Sequence, residues 1–263
     1  MTQQPTILVF DSGLGGLTVL REIVRSRPDL RAVYAADDAF FPYGHHSEDE
    51  IIARAVPLVG DLIAAHAPDL VVIACNTMSV SALAPLRAAY SVPFVGTVPA
   101  IKPACAASVT KRVSVLGTRA TVQREYTQAL IREHARACTV TLVGAANLAT
   151  LAEAALDGKP VHDAEIAAEI APCFVDDGSA RTDTVVLACT HYPLLLDRLI
   201  RLAPWPVDWI DPAPAIARRV SDLLGPARPG LPPADEPRLI FTSGRRHAAA
   251  ETLVHSFATA VTA

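Results

Sequence analysis

The sequence predicts an α/β fold of two pseudo-symmetric lobes, each a mainly parallel sheet flanked by helices, with the active site in the cleft between them. Three observations predict it. Short β-branched runs alternate with alanine-rich stretches of helical length along the whole chain, the pattern of a parallel sheet covered on both faces. A strand followed by a polar turn occurs twice, as DSGLGG after residues 6–10 and as GTRAT after residues 112–117. Each is followed, about 60 to 70 residues later, by a corner of one design, VVIACNT at 71–77 and VVLACTH at 185–191.

Taken in order, strands are expected at 6–10, 32–36, 70–74, 93–96, 112–117, 140–144, 184–188, 207–210 and 238–241, each a short apolar run bounded by turn residues. Ser47 and Glu50 form a capping-box pair, so a helix should begin there. Pro57 should kink that helix or end its first part, because proline removes a helical hydrogen bond. The proline-rich polar stretch 226–237 reads as a surface connection. The segment TVPAIKPA (97–104) is the expected hinge. One lobe would then comprise 1–97 plus 208–263, carrying Cys75, and the other 98–207, carrying Cys189. The return to the first lobe rests on WIDPAPAIARR and LIFTSG, which repeat the strand-then-polar-turn style of residues 6–13.

Gross properties bound the function. A chain of 263 residues, 51% hydrophobic, suits one large α/β domain or two smaller ones. A formal charge of −4 gives no footprint for nucleic acid or an anionic membrane surface. The opening MTQQPT lacks the pattern of a signal peptide, and no run approaches the roughly 20 apolar residues of a membrane span. A cytoplasmic location is expected. The five cysteines, Cys75, Cys105, Cys138, Cys173 and Cys189, are widely spaced and include no C-x-x-C. Neither a disulfide framework nor a zinc site is implied.

Ligands of open α/β sheets bind outside the carboxyl ends of the strands. The polar residues expected there are Asp11-Ser12-Gly13, Asp37-Asp38, Cys75-Asn76-Thr77, Thr118, Cys189-Thr190-His191 and Asp211. The two cysteines are the distinctive members. A thiol at a helix N-terminus meets the helix dipole and free N–H groups, which favour the thiolate. A small buried hydrophobe is the plain alternative for any single cysteine, and it is the reading for Cys105, Cys138 and Cys173, which lack such a context. A redox couple would want a short shared motif, and covalent catalysis would want one nucleophile with a base. Reversible proton transfer at a carbon centre wants one group on each face, which gives the duplicated corner a purpose. Pyridoxal phosphate would need a lysine in a cofactor pocket. Lys102, Lys111 and Lys159 all lie in turn-like contexts, so no cofactor is expected, just as the cysteine spacing leads to no expected metal. DSGLGGLT resembles a dinucleotide fingerprint, but Thr18 stands where its last glycine belongs, and Asp11 would repel a pyrophosphate.

From about residue 6 to 244 the chain resembles the glutamate racemases, cofactor-independent enzymes of peptidoglycan precursor synthesis. The resemblance rests on FDSGLGGLTVL, FPYG, VIACNT, PFVGTVPAIKPA, LGTRATV, LACTHYPLL, WIDPA and FTSG in that order. It implies an isomerase in which Cys75 deprotonates D-glutamate and Cys189 deprotonates L-glutamate. Asp11 would assist Cys75 or meet the ammonium group, and His191 would assist Cys189. Asn76, Thr77, Thr190 and His191 would bind the amino and carboxylate ends, while Ser12, Tyr43 and Gly44 would hold the side-chain carboxylate. Glu153 matches a family glutamate near the second cysteine, although Gly144-Ala145-Ala146 replace the usual A-C-P before it. In ADDAFFPYG, Asp38 and Phe40 replace a family threonine and arginine, which bears on side-chain specificity. His45 and His46 read as solvated helix-start residues rather than metal ligands. A racemase of the same fold acting on aspartate or another amino acid is the alternative. A non-catalytic binding protein ranks last, because both thiols and Asp11 are present. The implied partner is a small molecule, L- or D-glutamate; a homodimer stays open. The product would serve the cell wall and cell shape.

Overall fold

The structure is a computed structural model that describes residues 4–227 and 233–261; the expected surface connection at 226–237 therefore lies partly outside the described residues. The chain divides into two compact units, Met1–Thr97 with Ala213–Ala263, and Val98–Pro212.

The first unit is built on a five-stranded parallel sheet in the order β4-β3-β1-β2-β9, from β1 (Thr6–Asp11), β2 (Arg31–Ala36), β3 (Leu70–Ile73), β4 (Phe94–Gly96) and β9 (Arg238–Phe241). β1 and β3 are buried almost throughout, which is why they read as unbroken apolar runs rather than as alternation. Its helices are α1 (Leu17–Ser26), α2 (Glu48–His66), α3 (Asn76–Ala89), α10 (Ala213–Leu224) and α11 (Ala248–Val261). α1 packs against α10 and α11, and α2 against α3. One core cluster joins Leu8, Phe10, Ile51, Val71, Ile73, Met78 and Tyr43 to Cys75. Each large apolar side chain buried there contributes about 1.5–3 kcal/mol.

α2 opens on the expected box: the Glu50 N–H donates to Ser47 Oγ and the Ser47 N–H donates to Glu50 Oε2. It does not end at Pro57, which lies inside a continuous helix. Ala53 and Pro57 are both exposed, so the carbonyl that loses its helical partner lies on the solvent side and remains open to water.

The second unit carries a four-stranded parallel sheet, β6-β5-β7-β8, from β5 (Arg112–Thr118), β6 (Thr139–Ala145), β7 (Thr184–Ala188) and β8 (Asp208–Ile210). Around it stand α4 (Ile101–Ala107), α5 (Arg119–Gln123), α6 (Glu125–His134), α7 (Leu148–Leu156), α8 (Asp163–Ile170) and α9 (Leu196–Leu202). The expectation that residues 208–212 return to the first lobe does not hold. β8 pairs with β7, Ile210 packs on the second unit's core, and Trp209 meets Phe174 edge-on at 6.3 Å.

Candidate active site

All strands of a sheet run one way, so their carboxyl ends deliver side chains to one edge. In the first unit, Asp11 closes β1 and turns back into the glycine loop, where the N–H groups of Gly13 and Gly16 donate to its Oδ2 at 3.2 and 3.1 Å. A Cβ on Gly16 would stand 2.6 Å from the Asp11 Cβ, so only glycine fits. The loop thus cradles the protein's own carboxylate, the physical reason it is not a phosphate site. Ser12, the next residue, accepts from the Cys75 thiol at 3.7 Å. Cys75 follows β3 and caps α3, taking the Met78 N–H on its sulfur at 3.5 Å. Asn76 is 2% exposed, and both its amide oxygen and nitrogen are buried with no hydrogen-bond partner among the described residues. Leaving such groups unpaired costs about 1–3 kcal/mol each, an expense that a polar ligand would relieve. Thr77 is buried beside it in the chain.

Tyr43 and Gly44 stand in a short 3-10 turn between β2 and α2. The Tyr43 hydroxyl donates to Asp37 Oδ2 at 2.8 Å. Arg54 forks onto the same carboxylate, Nε to Oδ2 at 3.0 Å and Nη2 to Oδ1 at 2.7 Å, and Thr242 donates to Oδ1 at 2.6 Å. Burial alone would raise the Asp37 pKa, but the bonds from Arg54, Thr242 and Tyr43 outweigh it and hold the carboxyl below its usual range. Burial, with the neighbouring Asp37 charge, pushes the Tyr43 phenol far upward, so it stays neutral. The two departures from the family pattern also find partners here. Asp38 accepts from Ser243, through both N–H and hydroxyl, and lies 2.9 Å from His247 Nε2. Phe40 stacks on His46 with ring centroids 3.7 Å apart and meets Tyr43 edge-on at 5.8 Å. His46 is therefore half-buried packing rather than a solvated helix start.

The second unit gathers Cys189, Thr190 and His191 after β7. The corner differs from the first. Cys189 is followed by a 3-10 turn, Tyr192–Leu195, and only then by α9, so it does not cap an α-helix. Pro193 sits at the start of that turn. A side chain does here what the helix start does for Cys75: His191 Nδ1 lies 3.8 Å from Cys189 Sγ and 3.5 Å from Thr190 Oγ1. Its Nε2 lies 2.9 Å from Glu153 Oε1, which α7 supplies. Burial alone would lower the His191 pKa; the hydrogen bonds to Cys189 and Glu153, and their charges, outweigh it and raise it well above its ordinary value. Tyr192, fully buried, is held well above its ordinary range by burial and the Cys189 and Glu169 charges, and stands as a neutral phenol.

Burial pushes both the Cys105 and Cys173 thiols up to about 12, in keeping with a packing role. No cluster of three or more metal-ligating side chains occurs among the described residues. Each of the eleven expected site residues thus lies at a strand end, in the turn before α2 or on α7: Asp11, Ser12, Tyr43, Gly44, Cys75, Asn76 and Thr77 in the first unit, Glu153, Cys189, Thr190 and His191 in the second. What sequence reasoning missed is the support behind Tyr43. Asp37 was visible as a strand-end polar residue, but Arg54 and Thr242 carry no local signal.

Comparison with known proteins places this geometry. The model of the family described as Asp/Glu/Hydantoin racemase matches residues 7–220. The chain is 59% identical over 223 residues to the glutamate racemase of Brucella anthropi, covering 84% of this chain and 80% of that one. It is similar to the crystal structure of Escherichia coli glutamate racemase in complex with L-glutamate and the activator UDP-MurNAc-ala. There the TM-score is 0.84 at 39% identity, over 97% of this chain and 95% of that one. A glutamate racemase isoform from Bacillus anthracis gives a TM-score of 0.80 at 27% identity, over 98% and 95%. The chain belongs to the Asp/Glu/Hydantoin racemase family.

Proposed function

We propose that the protein is a glutamate racemase that interconverts L- and D-glutamate without a cofactor, with Cys75 and Cys189 as its two proton-transfer groups. The observation that carries the reading is the pair of thiols at strand-end corners, one in each unit, each with its own hydrogen-bonding support.

Inversion requires a base on one face of the α-carbon and an acid on the other. From D-glutamate, the Cys75 thiolate takes the α-proton, the electron pair stays on the α-carbon and its carboxylate, and the Cys189 thiol delivers a proton to the opposite face. L-glutamate leaves with the Cys75 sulfur protonated and the Cys189 sulfur as thiolate. The reverse reaction runs from that state. His191, whose hold on its proton is strengthened by Cys189 and Glu153, stabilises the Cys189 thiolate. Cys75 draws instead on the start of α3 and the Met78 N–H. The unpartnered amide of Asn76, with Thr77, Thr190 and His191, suits the amino and α-carboxylate groups; Asp11 meets the ammonium or assists Cys75.

Ser12 and the Tyr43–Gly44 turn take the side-chain carboxylate. Because the Tyr43 proton goes to Asp37, the turn offers that carboxylate its main-chain N–H groups. The acidic departure at Asp38 does not argue against a dicarboxylate substrate, since Ser243 and His247 occupy its oxygens. D-Glutamate would supply peptidoglycan synthesis and so cell-wall biogenesis and cell shape, in the cytoplasm. Among the described residues no helix is long and apolar enough to cross a membrane. A homodimer belongs to the same reading and is checked by light scattering.

The deciding experiment runs either enantiomer in heavy water. The product should carry solvent deuterium at the α-carbon, while unreacted substrate retains protium early in the reaction. Cys75→Ser and Cys189→Ser should each abolish racemisation; substantial turnover by either variant overturns the mechanism. Parallel rates on aspartate decide the substrate, with a kcat/KM for aspartate equal to or above that for glutamate counting against glutamate.

A further inference from the structure

We infer that Asp37 is a positioning residue, which acts through the Tyr43 hydroxyl to fix the turn that meets the distal carboxylate and so sets the chain length of the substrate. The inference rests on the reading of Tyr43–Gly44 given above.

Asp37 follows β2 directly, and its N–H donates to the Asp11 carbonyl at 2.9 Å. Its backbone is therefore tied to the strand that ends in Asp11, directly before Ser12. Its side chain is wholly buried and receives four donors on two oxygens: Tyr43 and Arg54 on Oδ2, Arg54 and Thr242 on Oδ1. A bidentate guanidinium fixes the plane of a carboxylate. With the plane set by Arg54 and the roll set by Thr242, Oδ2 occupies one place, and the Tyr43 hydroxyl is held there. The Tyr43 ring, 1% exposed, packs in the same core cluster as Cys75 and Met78. The turn is thus held at the tip of its tyrosine as well as by its flanking chain. Its distance from the proton-transferring sulfur is set by α2, β2 and β9 together. A diacid one methylene shorter, with its α-carbon at Cys75, would fall short of that turn.

Three variants test this, each assayed with both glutamate enantiomers and with aspartate. Asp37→Asn keeps the shape and loses the charge; KM for glutamate should rise about tenfold with kcat within about threefold, and the preference for glutamate over aspartate should narrow. Tyr43→Phe should act likewise, and the double variant should be no worse than Tyr43→Phe alone, since both changes break one connection. Thr242→Val should raise KM by about threefold, because it removes one of four donors. A merely structural role lowers the melting temperature without moving KM or substrate preference. Folded Asp37→Asn with KM within twofold of wild type, or additive effects in the double variant, overturns the inference. If Asp37→Asn fails to fold, Thr242→Val decides: an unchanged KM overturns it, a raised KM with narrowed preference supports it. Failure of the underlying reading looks different, since the wild-type protein itself would then exchange no α-proton of glutamate.

Discussion

His191 divides its ring between two acidic partners, Cys189 on one side and Glu153 on the other, inside the second unit. Glu153→Gln keeps an acceptor for His191 Nε2 but removes the carboxylate charge that, with Cys189, raises the His191 pKa. kcat/KM should fall about 10- to 100-fold. It should fall equally in both directions, because mirror-image substrates have equal free energy and their equilibrium constant is one. The alkaline limb of the pH–rate profile should move to lower pH, since a less basic imidazole loses its proton sooner. Stability follows the same sign. A raised histidine pKa contributes fully below the ordinary value of about 6.5 and is lost as pH rises through the elevated one. The gap in melting temperature between wild type and Glu153→Gln should therefore be widest near pH 6 and close in alkali, by calorimetry. Gly16→Ala tests the self-filled loop: its Cβ collides with Asp11, and about 1–3 kcal/mol of stability should go with most of the activity. At this scale the cysteine corners were legible because strand end, cysteine and polar residue are contiguous. The Asp37 assembly was not. Its partners lie 17 and 205 positions along the chain, and no local pattern joins them.

Strands proved the most legible elements. Each expected run has its strand; the inner ones, β1, β3 and β7, are the plainest, because a strand covered on both faces by helices is apolar along its length and stops where polarity resumes. Pro57 does not end its helix, since a proline on the solvent face of a long helix leaves only a carbonyl that water can reach. Nearby, the Tyr90 hydroxyl donates to the Val56 carbonyl at 2.9 Å across Gly60, locking α2 to the end of α3. The two cysteine corners also diverge at this scale: one opens an α-helix of fourteen residues, the other a 3-10 turn. In the second unit, Asp183 ties the start of β7 to the turn before β5, accepting from Ser108 Oγ and from the N–H groups of Val109 and Thr110. Burial would raise its pKa, but those bonds prevail and lower it to about 2. Asp183→Asn should cost about 1–2 kcal/mol at pH 7, discounted for its partial exposure. A depressed carboxyl pKa stabilises above the ordinary value and is lost as pH falls through the folded one. Urea unfolding of wild type and variant should thus converge between pH 4 and roughly pH 2.

For the whole molecule, the first unit is discontinuous in sequence, and its sheet and α1 are completed by residues beyond 212. A chain ended after Pro212 lacks β9 and leaves the α1 face without α10 and α11. The first unit should then lose its cooperative thermal transition, read by circular dichroism. The return point was expected at 208 because the WIDPA strand repeats the style of β1; style does not fix a neighbour, and Trp209 and Ile210 find their apolar partners in the second unit. The discontinuity also orders events on the ribosome. With synthesis at about 5–20 residues per second, the segment 98–212 emerges complete while the opening 97 residues still await their last strand. The later-encoded unit is therefore the one free to mature earlier. For several seconds of translation the nascent amino-terminal sheet keeps an unpaired β2 flank, a window in which a chaperone would find its client.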